Sequence, residues 1–359
     1  MDIEEVSTAV YAIPTEQALE DATQSFHTLE LVVVELTLND GTAGLGFTYT
    51  IGEGGATIAT FVETTLAPLL EHTDAAPRDA YSRMRAGTTF VGREGISELA
   101  ISAVDIALWD ALGRQLEAPL YHLLGGTAGP VQTYETNGGW LHFSEEELVE
   151  NATAVRAAGF AGMKLKLGRG HAEDAARIKA VREELSPESD LMVDANCAYS
   201  VPEAMRFAHH VRDVDLAWLE EPLPKDDYAA YASLKSSIDI PIASGENFYN
   251  PTAFTQLLAQ DAIDILQPDV CRIGGITPWM HVASVAKAWG RPLSPHYIEP
   301  IHVHLACATD TVPYIEHHST VLDRVCADPL ELEDGCLRPP ERPGHGLRFD
   351  GLEQYRVSR

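Results

Sequence analysis

From Val131 onward, short β-rich runs alternate with helical patterns, and an ionisable residue stands at the end of almost every run. Eight runs can be distinguished, and they read VQTYETN, GMKLKL, LMVDAN, LAWLEEP, IPIASGE, IDILQPDV, RPLSPH and VPYIEH. Strands that alternate with helices favour a parallel sheet, and eight such units close into a barrel. The chain is therefore predicted to contain a (β/α) barrel over residues 126–322.

Seven ionisable residues stand at or just beyond the end of a β-rich run. Successive members lie 20 to 28 residues apart, which is the length of one strand–helix unit. They are Lys166, Asp194, Glu220, Glu246, Asp269, His296 and Glu316. In a barrel the carboxyl ends of all strands meet at one rim, where the following loops build the active site. A solvated acidic surface would not place its charges at this one position of each unit. The spacing therefore predicts a single site at the rim.

The rest of the chain follows other patterns. Residues 1–125 begin with alternating β-branched runs around an Asn-Asp-Gly turn, a hairpin signature, and continue with helical periodicity over 55–71 and 96–116. That order is typical of an α+β domain. Residues 323–359 lose the barrel rhythm and are expected to return to the first domain. A length of 359 residues suits a barrel of about 250 residues with a smaller companion.

The net charge of −29, from 54 acids and 25 bases, restricts the partners. Such a field repels nucleic acid and anionic membranes, so neither is an expected partner. The acids could buffer cations, but no EF-hand spacing is present; the simpler interpretation is a solvated acidic surface of a halophilic protein. The start carries acids where a secretory signal would carry bases, and no apolar run spans a membrane, so a cytoplasmic protein is expected. Five scattered cysteines without CxxC indicate reduced thiols.

Asp194, Glu220 and Glu246 follow three adjacent predicted strands. Taken singly, each carboxylate could be an exposed acid or a helix cap. Three unpaired carboxylates buried together are costly, at about 20 kcal/mol per ion in an idealised calculation. A hard divalent cation offsets this cost, and three oxygen ligands with room for substrate and water suit Mg²⁺ better than zinc. These residues are the predicted metal ligands.

Lys164 and Lys166 lie two residues apart on one predicted strand, so their side chains share a face. They could be lysines of an exposed edge strand, but the chain has only six lysines, and two of them stand here. Adjacent ammonium groups lower each other's pKa, so one of them can be a neutral base. Together they also supply the positive charge that an anionic substrate needs.

Asp269 and His296 follow later strands and are expected across the barrel from the lysines. A carboxylate bonded to one ring nitrogen fixes the histidine tautomer and leaves the other nitrogen free to act as a base. An isolated histidine is more often structural, but the carboxylate one strand earlier favours a dyad. Glu316 is predicted to donate a proton to a substrate oxygen if its pKa is raised. Asn196, two residues beyond Asp194, is a candidate substrate contact.

A known family carries the same ordered motifs: the chain resembles the mandelate racemase branch of the enolase superfamily. The matching motifs are KLK at 164–166, VDAN at 193–196, WLEEP at 218–222, SGE at 244–246, QPD at 267–269, PH at 295–296 and IEH at 315–317. The resemblance covers the whole chain. It implies an α/β fold, a modified TIM barrel of the (β/α)7β type with an N-terminal α+β capping domain over residues 1–125.

The resemblance also implies roles. Asp194, Glu220 and Glu246 would bind Mg²⁺, and Lys166 would be the base on one face of the substrate. The His296–Asp269 dyad would act on the other face, and Glu316 would donate a hydrogen bond to the enediolate; the same chemistry is known for enolase-type sites with a Lys or His base and Mg²⁺. Within the branch, YETNGGWLH, SPHYIEPIHVHL and the GHGLRF tail look most like acid-sugar dehydratases, the L-talarate/galactarate dehydratase group above all, which makes Trp140 a candidate substrate contact.

The expected activity is a Mg²⁺-dependent dehydration of an acid sugar, an aldonate or an aldarate. The enzyme would remove the proton α to the carboxylate and eliminate the β-hydroxyl, giving a 2-keto-3-deoxy acid. Bases on both faces also permit racemisation or epimerisation, which is the alternative. A non-catalytic sugar-acid-binding protein is a remote alternative, because it needs the metal triad but not two bases. Association into a homo-oligomer is expected.

Overall fold

The computed structural model describes residues 1–318 and 321–357, and it has a three-stranded antiparallel sheet and an eight-stranded, mainly parallel one. The first sheet consists of β1 (Ile3–Glu20), β2 (Ser25–Leu38) and β3 (Ala43–Ile51), in that order. The predicted hairpin is confirmed, since β2 pairs with β3 across the Asn-Asp-Gly turn. Gly41 of that turn has a φ of 85°, a conformation that favours glycine.

Five helices complete the N-terminal part of the chain. They are α1 (Gly55–Phe61), α2 (Ala67–Leu70), α3 (Pro77–Gly87), α4 (Ile96–Gln115) and α5 (Leu120–Leu123). The helix predicted over 55–71 contains a π-helical turn at Val62–Leu66. Strand β3 lies against α4 so closely that a Cβ atom on Gly46 would stand 2.0 Å from the Ala103 carbonyl oxygen. Only glycine allows this packing.

The second sheet contains seven parallel strands and one short antiparallel strand. The strands are β4 (Val131–Glu135), β5 (Gly162–Lys166), β6 (Asp190–Asp194), β7 (Trp218–Glu220), β8 (Ile242–Ser244), β9 (Ile265–Leu266), β10 (Ile315–His317) and the antiparallel β11 (Cys336–Leu337). The order β10-β4-β5-β6-β7-β8-β9 curls the sheet, because the last strand in sequence of the parallel set pairs with the first.

The predicted strand RPLSPH does not form a strand of its own. Leu293 makes a single parallel bridge with Leu266, and its N–H donates to the Thr311 oxygen at 2.9 Å. Pro292 and Pro295 flank this point and lack the N–H groups that would extend the ladder. The segment thus fills the gap between β9 and β10 with few backbone bonds, and His296 still follows it at the same end of the barrel.

Seven helices follow the barrel strands. They are α6 (Glu145–Ala157), α7 (His171–Glu184), α8 (Val201–His210), α9 (Tyr228–Lys235), α10 (Pro251–Ala259), α11 (Ile276–Trp289) and α12 (Glu299–Cys307). Four of them begin at a polar cap: Ser144 and Ser200 form capping boxes, and Asp227 and Asn250 accept from backbone N–H groups. Such caps satisfy the free donors of the first turn, which fixes where each loop at the rim ends.

The C-terminal segment contacts both parts of the molecule. Strand β11 pairs with β4 of the barrel, while the Val357 N–H donates to the Val10 oxygen of β1 at 2.9 Å. One hydrophobic cluster also joins β1–β3 to the barrel through Leu31, Phe47 and Tyr49, so the N-terminal domain packs directly on the rim. The five cysteines are free thiols, as predicted. Within the described residues, the helices include none that is long and apolar enough to cross a bilayer.

Candidate functional site

The register of three parallel strands sets the depth of the site. Lys166 at the end of β5 is the direct partner of Asp194 on β6, and Asp194 is the partner of Glu220 on β7. All three side chains are buried. Because neighbouring strands of a parallel sheet are in register here, one lysine and two carboxylates end at the same level of the barrel. Glu246, two residues beyond β8, joins them from the next strand.

The three predicted metal ligands converge. Oxygen atoms of Asp194, Glu220 and Glu246 lie within 4.8 Å of one another, and all three residues are buried. Burial raises the pKa of Glu220 to about 7, against the lowering effect of Lys164. Burial also raises the pKa of Asp194, but Lys166 and Lys164 lower it by more, so its net shift is downward. Oε2 of Glu246 has no hydrogen-bond partner among the described residues. Closely spaced hard oxygens with an unsatisfied acceptor fit Mg²⁺.

Both lysines of the KLK motif are held by carboxylates. Nζ of Lys166 lies 2.5 Å from Oδ2 of Asp194, and Nζ of Lys164 lies 2.7 Å from Glu220 and 2.8 Å from Glu316. The predicted lowering of the lysine pKa values is wrong for this arrangement. Burial and the neighbouring ammonium lower the pKa of Lys166, but Asp194 raises it by more, and the pKa of Lys164 is likewise raised by Glu220 and Glu316 against burial.

The structure brings His296 and Asp269 together. Nδ1 of His296 lies 2.9 Å from Oδ2 of Asp269, and Nε2 lies 3.4 Å from Oε2 of Glu246. Burial lowers the pKa of His296, but Glu246 and Asp269 raise it to about 9. Burial raises the pKa of Asp269, whereas His296 and the Tyr49 hydroxyl lower it overall. The carboxylate thus fixes one ring nitrogen and directs the other towards the metal ligands.

Glu316 is buried at the end of β10 and accepts hydrogen bonds from three groups. Oε1 accepts from the Thr136 hydroxyl at 2.8 Å and lies 2.8 Å from Nζ of Lys164, while Oε2 accepts from the Tyr297 N–H at 2.8 Å. Burial raises its pKa, but Lys164 and His296 lower it well below the usual value. The condition on which Glu316 was predicted to donate a proton, a raised pKa, is therefore not met. The sequence did not reveal that Lys164 lies between Glu316 and Glu220.

One cavity of about 450 Å³ opens above these residues. Lys166, His296 and Glu246 line it, together with Trp140 and Asn196. The triad of Asp194, Glu220 and Glu246 follows β6, β7 and β8. Lys166 lies on β5, before these strands, and His296 lies after β9, so the two approach the cavity from opposite sides of the triad. Nε1 of Trp140 and Oδ1 of Asn196 are buried without a hydrogen-bond partner among the described residues. Both predicted substrate contacts therefore line the cavity, and each has one buried polar atom without a partner in the described part of the chain.

Backbone strain is concentrated at this rim. Asn196, Cys197, Glu221, Tyr297 and Ile298 all have positive φ values, between 38° and 61°. Non-glycine residues rarely adopt this conformation, and where they do the surrounding structure must hold them in place, most often at functional sites. Four of them line the cavity: Asn196, Cys197, Glu221 and Tyr297. The strained loops after β6 and β7 and the turn after His296 therefore form part of the cavity wall.

Four residues of the site were missed from the sequence. Glu221 is fully buried and accepts from Nδ2 of Asn247 at 2.7 Å, while Arg272 donates to Oδ1 of the same asparagine at 2.9 Å. Burial, Glu246 and Asp194 raise the pKa of Glu221 well above its usual value. Tyr49 donates to Oδ2 of Asp269 at 2.6 Å. Glu221, Asn247 and Arg272 each follow a predicted site residue by one to three positions, and this closeness in sequence could have indicated them. No feature of the sequence around Tyr49 indicated its contact with the site.

Family models match both parts of the chain. The mandelate racemase/muconate lactonizing enzyme N-terminal domain matches residues 5–125, and the enolase C-terminal domain-like model matches residues 147–354. The chain belongs to the mandelate racemase/muconate lactonizing enzyme family. This membership confirms the enolase-superfamily resemblance, the α/β barrel class and the separate N-terminal domain.

Relatives of known activity within this family act on acid sugars. The chain is 36% identical over 327 residues to L-talarate/galactarate dehydratase of Salmonella typhimurium, covering 91% of this chain and 81% of that protein. It is also 36% identical over 351 residues to 3,6-anhydro-α-L-galactonate cycloisomerase of Streptomyces coelicolor, covering 97% of each. Arabinonate dehydratase of Saccharolobus solfataricus is 34% identical over 346 residues, covering 92% of this chain and 91% of that protein.

Solved structures of family members carry magnesium. A racemase from Streptomyces coelicolor with bound magnesium superposes with a TM-score of 0.95 at 36% identity, covering 99% of this chain and all of that one. L-talarate dehydratase from Polaromonas, complexed with Mg and L-glucarate, superposes with a TM-score of 0.93 at 33% identity, covering 99% and 98%. The buried carboxylate triad of this family member is consistent with the same metal.

Proposed function

We propose that this chain is a Mg²⁺-dependent dehydratase of acid sugars, either aldonates or aldarates. One observation carries the proposal: Lys166 and His296 line one cavity from opposite sides of a buried carboxylate triad. A site of this kind can remove a proton on one side of a bound carbon chain and deliver a proton on the other. The chain's similarity to dehydratases of talarate, galactarate and arabinonate supports the same reaction class.

The site residues have different roles in the proposed reaction. Lys166 or His296, depending on the configuration at C2, takes the α-proton of the substrate. Lys164 is the proposed source of positive charge for the developing enediolate. Glu316 is ionised and lies 2.8 Å from Nζ of Lys164, so its role is to hold Lys164 in position. Asp194, Glu220 and Glu246 would hold Mg²⁺, which would supply positive charge for the substrate carboxylate. It would also offset the negative charge of Asp194 that raises the pKa of Lys166.

His296 is the proposed acid of the second step. Nδ1 of His296 is bonded to Asp269 at 2.9 Å. Nε2 points to the cavity, where it lies 3.4 Å from Oε2 of Glu246. From there it donates a proton to the departing 3-hydroxyl, and the resulting enol becomes a 2-keto-3-deoxy acid. The roles of Asn196 and Trp140 in this proposal are to bind the substrate hydroxyls through their free polar atoms.

Racemisation or epimerisation of a 2-hydroxy acid is the second candidate. It is favoured by the presence of a base on each side of the cavity, and a racemase is among the similar structures. In that reaction the proton removed by one base is replaced by the other, and no water is lost.

A Mg²⁺-dependent screen of aldonates and aldarates tests the proposal, with 2-keto acid products detected as semicarbazones in high-salt buffer. We expect one or a few acids to give product, and EDTA, Lys166→Ala and His296→Asn each to abolish it. Deuterium uptake at C2 without any keto acid would instead support the racemase or epimerase. Neither product nor exchange with any acid would refute both candidates.

A further inference from the structure

Three cationic side chains other than His296 line the cavity, and they differ in their partners. Nζ of Lys166 lies 2.5 Å from Asp194, and Nζ of Lys225 lies 2.8 Å from Asp226. Arg272 forms no ion pair with an acidic side chain among the described residues, although the chain has 54 acids and 25 bases. Burial lowers the pKa of Arg272, but Tyr49, Tyr249, Asp269 and Glu246 raise it, so the guanidinium stays charged. None of these groups forms an ion pair with Arg272, so its charge is available to a ligand.

The contacts of Arg272 orient its guanidinium without neutralising it. Nη2 donates to Oδ1 of Asn247 at 2.9 Å and to the Tyr249 hydroxyl at 3.2 Å, and the group lies 5.5 Å from the centre of the Tyr249 ring. Nε is buried and has no hydrogen-bond partner in the described part of the chain. Asn247 and Tyr249, which are both uncharged, therefore hold the planar guanidinium in place and leave some of its N–H donors free for an anion.

The acids nearest to the cavity are already engaged. Oδ1 of Asp21 accepts from the Thr23 N–H at 2.7 Å, from the Thr23 hydroxyl and from the Gln24 N–H, so this acid stabilises its own loop. Asp226 is largely exposed beside Lys225. Glu246 belongs to the triad and Asp269 to the histidine dyad. Glu221 also lines the cavity, and its Oε2 accepts from Nδ2 of Asn247 at 2.7 Å and from the Cys197 thiol at 3.3 Å. None of these acids forms an ion pair with Arg272 in the described part of the chain.

The position of Arg272 fixes which end of a substrate it can reach. It bonds to Asn247, the residue next to the metal ligand Glu246, and Nδ2 of Asn247 also lies 3.4 Å from Oε1 of Glu246. Arg272 thus lies one side chain away from the triad within the same cavity. A carboxylate held at the triad and Lys166 would leave the far end of a short carbon chain near Arg272.

We propose that Arg272 binds the second carboxylate of the substrate, which is therefore a dicarboxylic acid sugar, an aldarate. This inference rests on the proposed function, which left aldonates and aldarates open. A carboxylate and a guanidinium match in charge and planarity, and their paired hydrogen bonds are among the stronger polar contacts in proteins. The uncharged terminal hydroxyl of an aldonate would leave the arginine charge unmatched.

Steady-state kinetics with a matched substrate pair tests the inference. The pair is a six-carbon aldarate and the aldonate of the same configuration, compared in wild type, Arg272→Gln, Arg272→Lys and Arg291→Gln. Arg291 pairs with Asp261 and Asp264 and does not line the cavity, so it controls for the lost charge. We expect wild type to prefer the aldarate. R272Q should lower kcat/KM for the aldarate roughly tenfold to a hundredfold, mainly through KM, and R272K should recover part of the loss.

The same variants should change kcat/KM for the aldonate far less, and R291Q should match wild type on both acids. A wild type that prefers the aldonate, or an R272Q that loses equally on both, overturns the inference and leaves the dehydratase intact. Calorimetric binding of the two acids with Mg²⁺ decides the inference even if neither is converted. Tighter aldarate binding that is lost in R272Q supports it, and equal binding of both acids overturns it; absence of conversion counts against the proposed function alone.

Discussion

The Tyr49 hydroxyl donates a hydrogen bond of 2.6 Å to Oδ2 of Asp269, the same oxygen that lies 2.9 Å from Nδ1 of His296. Tyr49 belongs to β3 of the N-terminal domain, whereas Asp269 belongs to the barrel. The adjacent Thr48 donates to the Cys271 oxygen at 2.9 Å. The N-terminal domain therefore contacts the histidine dyad directly as well as covering the cavity.

Replacing Tyr49 by Phe should impair the step that His296 performs. The change removes one donor from a buried carboxylate, and a hydrogen bond to a charged group is worth about 1.5–3 kcal/mol, so we expect a roughly tenfold to hundredfold lower kcat for dehydration. Deuterium exchange at C2 catalysed by Lys166 should persist at a rate closer to wild type, as measured by NMR. Thr48→Val removes a neighbouring interdomain hydrogen bond without touching the dyad and serves as the control. Equal losses in both variants would show that Tyr49 acts through domain packing alone.

Magnesium should stabilise the fold through the carboxylate triad. At a Mg²⁺ concentration a hundred times its Kd, binding to the folded state alone adds about 2.7 kcal/mol to the free energy of unfolding. Thermal unfolding with EDTA and with increasing Mg²⁺, at constant high KCl, measures this gain. Asp194→Asn should lose it, and Asp226→Asn, which changes an exposed acid, should keep it. A gain of the same size in Asp194→Asn would place the metal elsewhere.

Lys164 should be needed for stability as well as activity. Its Nζ lies between buried Glu220 and Glu316, at 2.7 and 2.8 Å, so Lys164→Met leaves two buried carboxylates without their cation. Breaking a buried pair in this way costs about 3–5 kcal/mol. Denaturant unfolding in EDTA measures the cost. Lys179→Met removes an exposed lysine that pairs with Asp213 and should change the unfolding midpoint little. Comparable midpoints for the two variants would contradict the buried geometry.

Asp105 should make stability fall as pH rises. This residue of α4 is fully buried, and its Oδ2 accepts from the Thr277 N–H of α11 at 2.9 Å, while Oδ1 has no partner among the described residues. Burial raises its pKa from 3.8 to about 7. The folded protein therefore holds this proton more tightly than the unfolded chain does, and the associated stability is present below pH 4 and lost as pH rises to about 7.

Asp105→Asn keeps an acceptor for Thr277 and removes the titration. We expect it to raise the free energy of unfolding at pH 7.5 by roughly 1 to 4 kcal/mol relative to wild type, and to do less at pH 5. Denaturant unfolding at the two pH values measures the difference, with Asp215→Asn, an exposed acid, as the control. The same gain at both pH values would show that ionisation of Asp105 is not the cause.

The sequence predicted the elements that follow from periodicity and spacing. The hairpin of β2 and β3 was confirmed. The carboxylates of the triad meet as expected, because parallel strands in register bring residues at equivalent positions of successive units to the same end of the barrel. RPLSPH was the exception, since its two prolines prevent a full strand. Helix α3 was also missed, because its pattern is largely polar.

The electrostatics of the site could not be predicted in the same way. The sequence shows only that Lys164 and Lys166 are neighbours, whereas the pKa of Lys166 depends on Asp194, 28 residues away. Glu316 likewise owes the direction of its shift to Lys164. Tyr49 reaches the dyad only because two domains pack together, and nothing in its local sequence indicates that contact.

Proton NMR of an acid-sugar conversion in D₂O, with and without Mg²⁺, tests whether this site dehydrates acid sugars. With Mg²⁺, we expect at least one aldonate or aldarate to lose its 3-hydroxyl and yield a 2-keto-3-deoxy acid carrying deuterium at C3. We expect Lys166→Ala and His296→Asn to yield none. If every acid stays unchanged, with neither deuterium at C2 nor loss of water in the presence of Mg²⁺, then the site does not abstract the α-proton of acid sugars, and the proposed function is wrong.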